Sequence, residues 1–343
     1  MKVEVDGFDS RSGDLGSSPQ HFDGRTVHIY NPLHKVLANF VQSLSETFRA
    51  GGVSTIQLVS VNGEVGNARA AKVSALASHV WKVRGHVRSG GPNLVAWPLL
   101  GWWEAPLWRR SETKTFIAMH DPEPLAQQDG LTARDASIAS RLSGRNGPHI
   151  ITMSPEAYSI VERYFGRDRV HLLPLPMRHP VSCGQRSESR TVLVLGQYKP
   201  ARDLDVMKAI GPVLRSAGWT PTVAGRGWPA LPGWHVVDRF LSDSEFKGML
   251  SAAACVLVPY RHYFQSEVAI RALEVGVPVV GRQTGFMTSL LGADFPGAVE
   301  DWDDPGSWLQ ALQAATSGRL TQISAAASYS RRGASEWCSL IIN

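Results

Sequence analysis

Residues 255–284 constrain this chain more than any other stretch. The apolar run Cys255-Val256-Leu257-Val258 ends at a Pro259-Tyr260 break. Ser266 then opens a helical pattern from Glu267 to Leu273, Gly276 stops it, and a second apolar run, Pro278-Val279-Val280, follows at once. Short uninterrupted apolar runs read as strands buried on both faces. A Ser before the first periodic residue and a Gly after the last read as the two ends of a helix. A strand that leads through a loop into a helix N-terminus presents free N–H groups and the positive end of the helix dipole. That arrangement favours a phosphate or another anion.

The same alternation runs along most of the chain. Strand-like runs at Val27–Tyr30, Thr55–Val61, Leu94–Trp97, Thr115–Met119, Ile150–Met153 and Val170–Leu173 are separated by helical patterns such as Lys35–Arg49 and Val73–Arg88. In the latter, Val73, Leu76, Val80, Val83 and Val87 form one stripe. The segment Pro174–Arg190, rich in Pro, Ser and Arg, interrupts the pattern. A second series follows: Thr191–Leu195, Thr220–Ala224, His235–Val237, Cys255–Val258 and Pro278–Val280, with helices at Leu204–Ala217, Asp243–Ala252 and Glu267–Val275. Strands alternating with helices predict parallel sheets covered on both faces. At 343 residues two such domains are expected rather than one. The predicted organisation is an arm over 1–24, a first Rossmann-like domain over 25–178, a linker over 179–190, a second domain over 191–322, and a C-terminal helix over 323–343 that crosses back to the first domain. Ligands of doubly wound sheets bind beyond the carboxyl ends of the strands, which places the site in the cleft between the domains.

Composition narrows the class. No apolar run approaches bilayer length, and the N-terminus lacks an apolar signal core, so a cytoplasmic protein is expected. Three cysteines, Cys183, Cys255 and Cys338, lack paired spacing and predict neither a disulfide framework nor a zinc site. The net charge of +5 permits an anionic partner without demanding nucleic acid. No strand is followed by Gly-x-Gly-x-x-Gly, which disfavours a dinucleotide-dependent dehydrogenase.

Several motifs together resemble the GT-B glycosyltransferases of the retaining family 4. The run Phe116-Ile117-Ala118-Met119-His120-Asp121 is similar to the family's strand end whose His faces the donor sugar. Val192–Leu195 followed by Gly196-Gln197-Tyr198-Lys199-Pro200-Ala201-Arg202-Asp203 is similar to its Gly-Arg and Lys-Gly pairs, with Gln197 at the Arg position, Arg202 at the Lys position and Asp203 at the following Gly. Ala224-Gly225-Arg226-Gly227 resembles its Ala-Gly-x-Gly turn, Asp238-Arg239-Phe240-Leu241 the segment against the nucleotide base, and Thr284-Gly285-Phe286 its small-residue loop near the donor. The family also carries two Glu around the helix that ends at Gly276. Counted back from that glycine they fall on Tyr263 and Arg271, while Glu267 and Glu274 stand out of register. Arg271 is donor-only and cannot accept from ribose hydroxyls. It could instead meet a phosphate or the acidic part of an unusual donor.

The resemblance implies a glycosyltransferase moving a sugar from a nucleoside-diphosphate donor, UDP or GDP type, to an acceptor hydroxyl with retention. No cofactor and no metal are implied. His120, Arg202 and Glu267 are the expected catalytic residues. Gly196, Gln197, Lys199, Arg202, Arg239, Phe240, Ser266, Glu267 and Arg271 are expected at the donor diphosphate and nucleotide. Asn31, His34 and Lys35, where the family has a Gly-Gly loop, are expected on the acceptor side, toward a glycan, lipid-linked or other hydroxyl acceptor. Several of these residues have a plainer role open to them: Lys199 as a solvated charge, Glu267 as a complement to the helix dipole, Ser242 as an ordinary N-cap. Asp301-Trp302-Asp303-Asp304 resembles an Asp-x-Asp metal motif, but Asp304 before Pro305 reads as a helix cap.

From Arg69 to Lys114 there are eight Lys or Arg against Glu104 and Glu112, with Trp81, Trp102, Trp103 and Trp108 among them. Three readings stay open for residues 69–110: a core helix stripe with solvated Lys and Arg, a membrane-surface contact recruiting a lipid-linked acceptor, and, ranked last, nucleic acid, as in phage-type DNA glycosyltransferases. Loss of both family Glu residues also keeps open a non-catalytic nucleotide-binding or partner protein. An epimerase would need an acid–base pair on both sugar faces, and none is evident.

Overall fold

The computed structural model of this chain describes residues 26–32, 37–58, 69–86, 91–123, 130–181 and 189–342. The N-terminal arm, His34, Lys35, Cys183 and most of the expected linker lie outside the described residues.

The first lobe is a six-stranded parallel sheet among those residues. Its strands are β1 (Thr26–Tyr30), β2 (Ser54–Leu58), β3 (Asn93–Val95), β4 (Thr115–Ala118), β5 (His149–Thr152) and β6 (Val170–Leu172), in the order β2-β1-β3-β4-β5-β6. Its helices are α1 (Ala38–Ala50), α2 (Arg69–His86), α3 (Glu104–Leu107), α4 (Ala133–Ser143) and α5 (Pro155–Phe165). The second lobe has five parallel strands, β7 (Thr191–Leu195), β8 (Thr220–Ala224), β9 (His235–Val237), β10 (Cys255–Val258) and β11 (Val279–Gly281), in the order β11-β10-β7-β8-β9. With it come α6 (Leu204–Ser216), α7 (Asp243–Ala252), α8 (Glu267–Glu274), α9 (Gly285–Leu291), α10 (Pro305–Ser317) and α11 (Arg319–Ile342).

Successive strand residues point to opposite faces, so each apolar strand feeds two cores. Val192 and Val194 pack with Met207, Ile210 and Trp308 under α6 and α10. Leu193 and Leu195 face the other way and join a core that also holds Val27, Ile29, Phe40, Phe48 and Trp337. That second core spans both lobes.

The C-terminal helix α11 is the joint. It starts at Arg319, so the expected boundary at 322/323 falls inside it. Trp337 is fully buried, its ring edge-on to Phe40 and Phe48 of α1, and its indole Nε1 donates to the Pro174 carbonyl (2.7 Å). The Leu175 N–H donates to the Tyr329 hydroxyl (2.6 Å), and Ser330 Oγ donates to the Met177 carbonyl (3.0 Å). The chain that leaves the first lobe is therefore hydrogen-bonded along the last helix of the molecule.

One sequence expectation changes, and two further stretches take a definite form. Thr284-Gly285-Phe286 is not a loop but the start of α9, with Thr284 as its cap accepting from Met287 N. The segment Gly101–Leu107, for which no helix was expected, forms a 3₁₀ turn running into α3. Within the basic, Trp-bearing region, Trp102 and Trp108 are core residues, and Trp108 Nε1 donates to Glu104 (3.1 Å). Glu104 is itself wholly buried against His79 (2.8 Å). An indole whose N–H finds a buried carboxylate has no need of an interface with water. Trp103 is part-buried and donates to Asp135, leaving Trp81, 78% exposed, as the one of the four out in solvent. No helix of the described residues is long and apolar enough to cross a membrane.

Candidate active site

Strand order locates the site. In the second lobe the chain moves outward from β7 through β8 to β9, then returns to the other side of β7 as β10. In the first lobe it moves from β1 to β2 and returns to the other side of β1 as β3. Such reversals leave a crevice beyond the strands' carboxyl ends. Asn31 follows β1 at the reversal of the first lobe and is buried there. Gly196 and Arg202 lie at the reversal of the second lobe.

The β7–α6 loop is shaped by close backbone approach. Gly196 has φ +102° and Gly225 φ +143°, a region that favours glycine, and a Cβ on Gly225 would run into the Gly196 carbonyl. The loop thereby lies flat on the β8 end, where Tyr198 N donates to the Arg226 carbonyl (2.9 Å) and Trp228 Nε1 to the Gly196 carbonyl (2.8 Å).

Arg202 sits beneath this loop and is 5% exposed. Its guanidinium lies between the rings of Trp228 (4.8 Å) and Tyr260 (5.1 Å) and donates through Nη2 to the Leu195 carbonyl (2.6 Å). Its Nε is buried without a partner, and no carboxylate of the described residues pairs with it. The neighbouring Asp203 is used elsewhere: it caps α6, accepts from Trp302 Nε1 (3.0 Å) and pairs with Arg261, which also holds Asp303. Burial lowers the Arg202 pKa from its ordinary value, with Tyr260 opposing. A buried cation held by π-faces and one carbonyl lacks a counterion. Trp228, which forms one wall, follows the Ala224-Gly225-Arg226-Gly227 motif directly, and that adjacency is the signal that could have found it.

Across the cleft, burial raises the Asp121 carboxyl above its usual range while the charge of Lys199 pulls it back. Lys199 is exposed on the loop and its charge is felt by Asp121 of the first lobe. Gln197 is exposed on the same loop.

The helix end that the sequence singles out forms as expected. Ser266 caps α8, its Oγ accepting from Ala269 N (3.2 Å). Gln265, just before it, reaches the first lobe and meets His120 Nδ1 (2.6 Å). His120 Nε2 lies 3.0 Å from the Ala96 carbonyl at the end of β3. A carbonyl only accepts, so Nε2 carries the proton, and the Gln265 amide donates to the Nδ1 lone pair. The imidazole is neutral, 3% exposed, and flanked by Phe40 and Trp97. Burial pulls its pKa down to about 4, against a smaller opposing effect of the Ala96 hydrogen bond.

His120, Gln265, Glu267 and Arg271 line one crevice. Arg271 is committed to carboxylates: Nη1 to Glu274 (2.7 Å) and Nη2 to Glu267 (3.4 Å), with Ser43 of α1 at 3.5 Å. Glu274 also accepts from Arg178 N (2.8 Å), and Arg178 pairs with Glu46 of α1 (2.7 Å). One guanidinium facing two carboxylates is a poor receptor for a further anion. Tyr263, at the other family Glu position, is a buried phenol edge-on to Phe286. At the far end of the sheet Phe240 is 80% exposed after β9, while Arg239 pairs with Glu245 in the first turn of α7 (2.7 Å). The structure therefore gathers His120, Glu267 and Arg271 in one crevice. Gly196, Gln197, Lys199 and Arg202 lie together at the β7 end, and Arg239 and Phe240 stand apart at β9.

The buried imidazole has a measurable consequence. Its folded pKa lies below the unfolded value near 6.5, so the unfolded chain takes up the proton first as pH falls. Stability is complete above 6.5 and is lost between 6.5 and 4, by roughly 3 kcal/mol. In His120→Gln, urea melts across this window should lose that part of the slope.

No protein-family model matches the sequence, and no curated protein matches it by sequence. The fold does have counterparts. An alpha,alpha-trehalose-phosphate synthase (UDP-forming) from Burkholderia vietnamiensis superposes with TM-score 0.63 at 10% identity, covering 93% of this chain and 98% of that one. The fold is GT-B. Anabaena HepE, solved in complex with UDP and glucose, gives a TM-score of 0.61 at 11% identity over 92% of this chain and 98% of that one. WaaG, a glycosyltransferase involved in lipopolysaccharide biosynthesis, gives 0.56 at 14% over 93% and 99%. These GT-B neighbours span both lobes, so the likeness is to the whole two-lobed arrangement.

Proposed function

We propose that this chain is a nucleotide-sugar-dependent glycosyltransferase whose donor diphosphate binds at the β7–α6 loop. The observation that carries the reading is Arg202, a buried cation without a counterion at the strand-order reversal of the second lobe. A diphosphate is the anion that such a position in this fold accommodates, and it would complete the guanidinium's hydrogen bonding. Lys199 and the backbone amides at Ser266 and Glu267 would supply the remaining stabilisation of the leaving group without a metal. Exposed Phe240 would cover the base, with Arg239 beside it, and His120 would orient the sugar by hydrogen bonding. Gly196 and Gln197 would lie along the phosphates, and Asn31 would border the acceptor with His34 and Lys35. UDP is the preferred nucleotide, since the neighbours include a UDP-forming synthase and a UDP complex. Retention at the anomeric carbon, a hexosyl donor and a glycan or lipid-linked acceptor follow from the resemblance to family 4.

A second reading is favoured by one observation. At Tyr263 and Arg271 no carboxylate stands where the family has its Glu pair, and Arg271 is neutralised by Glu267 and Glu274. A nucleotide-binding protein without turnover would tolerate this. A thermal-shift screen of UDP, GDP and their sugars separates the outcomes. A ligand at 100 times its Kd stabilises by about 2.7 kcal/mol. Stabilisation by a nucleoside diphosphate together with slow release of sugar from its conjugate supports the transferase. Stabilisation without release supports the binding protein, and no stabilisation by any nucleotide contradicts both.

A further inference from the structure

Both ring nitrogens of His120 are occupied, and the two bonds come from different lobes. The Ala96 carbonyl belongs to the end of β3, and Gln265 belongs to the loop that delivers the α8 N-terminus. Gln265 precedes the N-cap Ser266 directly, so whatever fixes its side chain also fixes the first free amides of α8 against the first lobe. The residue type matters. A neutral amide can donate to a nitrogen lone pair without bringing charge, whereas a carboxylate at the same place would draw a proton onto Nδ1.

We propose that Gln265 is a positioning residue that sets the protonation form of His120 and couples it to the anion-binding end of α8. His120 then acts as a fixed neutral hydrogen-bonding group, not as an acid or a base. A sugar hydroxyl that reaches Nδ1 must take the place of the Gln265 amide, and this reports the sugar's arrival to the same loop that holds the phosphate-facing amides. The purpose of this coupling rests on the glycosyltransferase reading. The coupling itself rests only on the hydrogen bonds.

Burial holds the ring neutral and the Ala96 carbonyl holds the proton on Nε2, so Gln265 is the polar neighbour that decides what meets Nδ1. Phe40 and Trp97 cover the ring and carry no charge. Asp121 is next in the chain and is opposed by Lys199. Glu267 and Arg271 line the same crevice and pair with each other. Neither of these charged pairs is hydrogen-bonded to the imidazole.

The test is NMR of protein labelled with ¹⁵N-histidine, the His120 signal being assigned by its loss in His120→Gln. In the wild type the ring should be in the Nε2–H form at pH 7 and titrate at about 4. In Gln265→Glu the ring should carry protons on both nitrogens at pH 6.5, its midpoint having risen past the ordinary value of 6.5. In Gln265→Ala, which removes the donor and opens Nδ1 to the crevice, the burial that lowers the midpoint is relieved and the midpoint should rise toward 6.5. UDP should still stabilise both variants through Arg202 and Lys199, but less than it stabilises the wild type, because the Ser266 and Glu267 amides lose the anchor that Gln265 supplies. A wild-type ring protonated on Nδ1, or a His120 midpoint the same in all three proteins, would overturn the proposal. Failure of UDP and GDP to bind the wild type would contradict the glycosyltransferase reading and leave the NMR result standing, so the two failures are distinguishable.

Discussion

Replacing Arg202 by Met should abolish most nucleotide affinity while changing the stability of the unliganded protein only modestly. The guanidinium is buried between Trp228 and Tyr260 with an unpartnered Nε and no carboxylate among the described residues to neutralise it. Met fills a similar volume between the same rings and needs no counterion. The lost cation–π contacts are offset by relief of the desolvation cost, so the apo stability should change by no more than about 2 kcal/mol. Charge-assisted hydrogen bonds to a phosphate contribute about 1.5–3 kcal/mol each. Loss of one strong contact raises Kd for UDP or GDP roughly 100-fold. Calorimetric titration together with thermal melting of Arg202→Met checks both halves. A merely structural arginine would give the opposite pair of results, a large loss of stability and unchanged nucleotide binding.

Trp337→Ala should produce the largest loss of stability of any substitution considered. The indole is fully buried in the core shared by the two lobes, edge-on to Phe40 and Phe48, with its N–H on the Pro174 carbonyl. Truncating a buried Trp costs about 3–5 kcal/mol, and here the cavity would open at the seam between lobes. The expected result is a loss near 4 kcal/mol and a broadened or split calorimetric transition, since α11 would hold the chain segment 174–177 through Tyr329 and Ser330 alone. Trp337→Phe keeps the packing and loses the hydrogen bond, so about 1–2 kcal/mol is expected. A Trp337→Ala protein that melts in one sharp transition at the wild-type temperature would show that the seam is held by something else.

Much of the fold was legible because the strands are uninterrupted apolar runs. Val192–Leu195 and Cys255–Val258 face a core on either side, and the boundaries drawn from sequence fall within a residue or two of β7 and β10. The cap at Ser266 was legible for a local reason, since its hydroxyl bonds three residues along the chain. What failed was also local. Thr284-Gly285-Phe286 carries the residues of a turn, but the Thr284 cap and the burial of Phe286 and Met287 against the shared core make it helical. Trp102 and Trp108 sit among cations in the sequence, and their inward direction goes with Phe165 for the first and with Glu104 and Tyr30 for the second, which no periodicity announces.

The site was legible in types and not in partners. Arg202 could be named from its place after β7, but not its burial between Trp228 and Tyr260. Each of those rings arrives from another strand end. Arg271 could be seen to lack the chemistry of a Glu, yet its capture by Glu267 and Glu274 follows from helical spacing of three and four residues that the sequence does display. Gln265 carried no signal at all, because its partner is 145 residues away.

A transferase of this kind must hold its donor diphosphate between the lobes at the end of β7. A crystal structure grown with UDP or GDP tests this directly. The phosphates are expected within hydrogen-bonding distance of the Arg202 guanidinium and the backbone amides at Ser266 and Glu267, with the base toward Phe240. A nucleotide bound elsewhere on the chain, with Arg202 still enclosed and untouched, would contradict it.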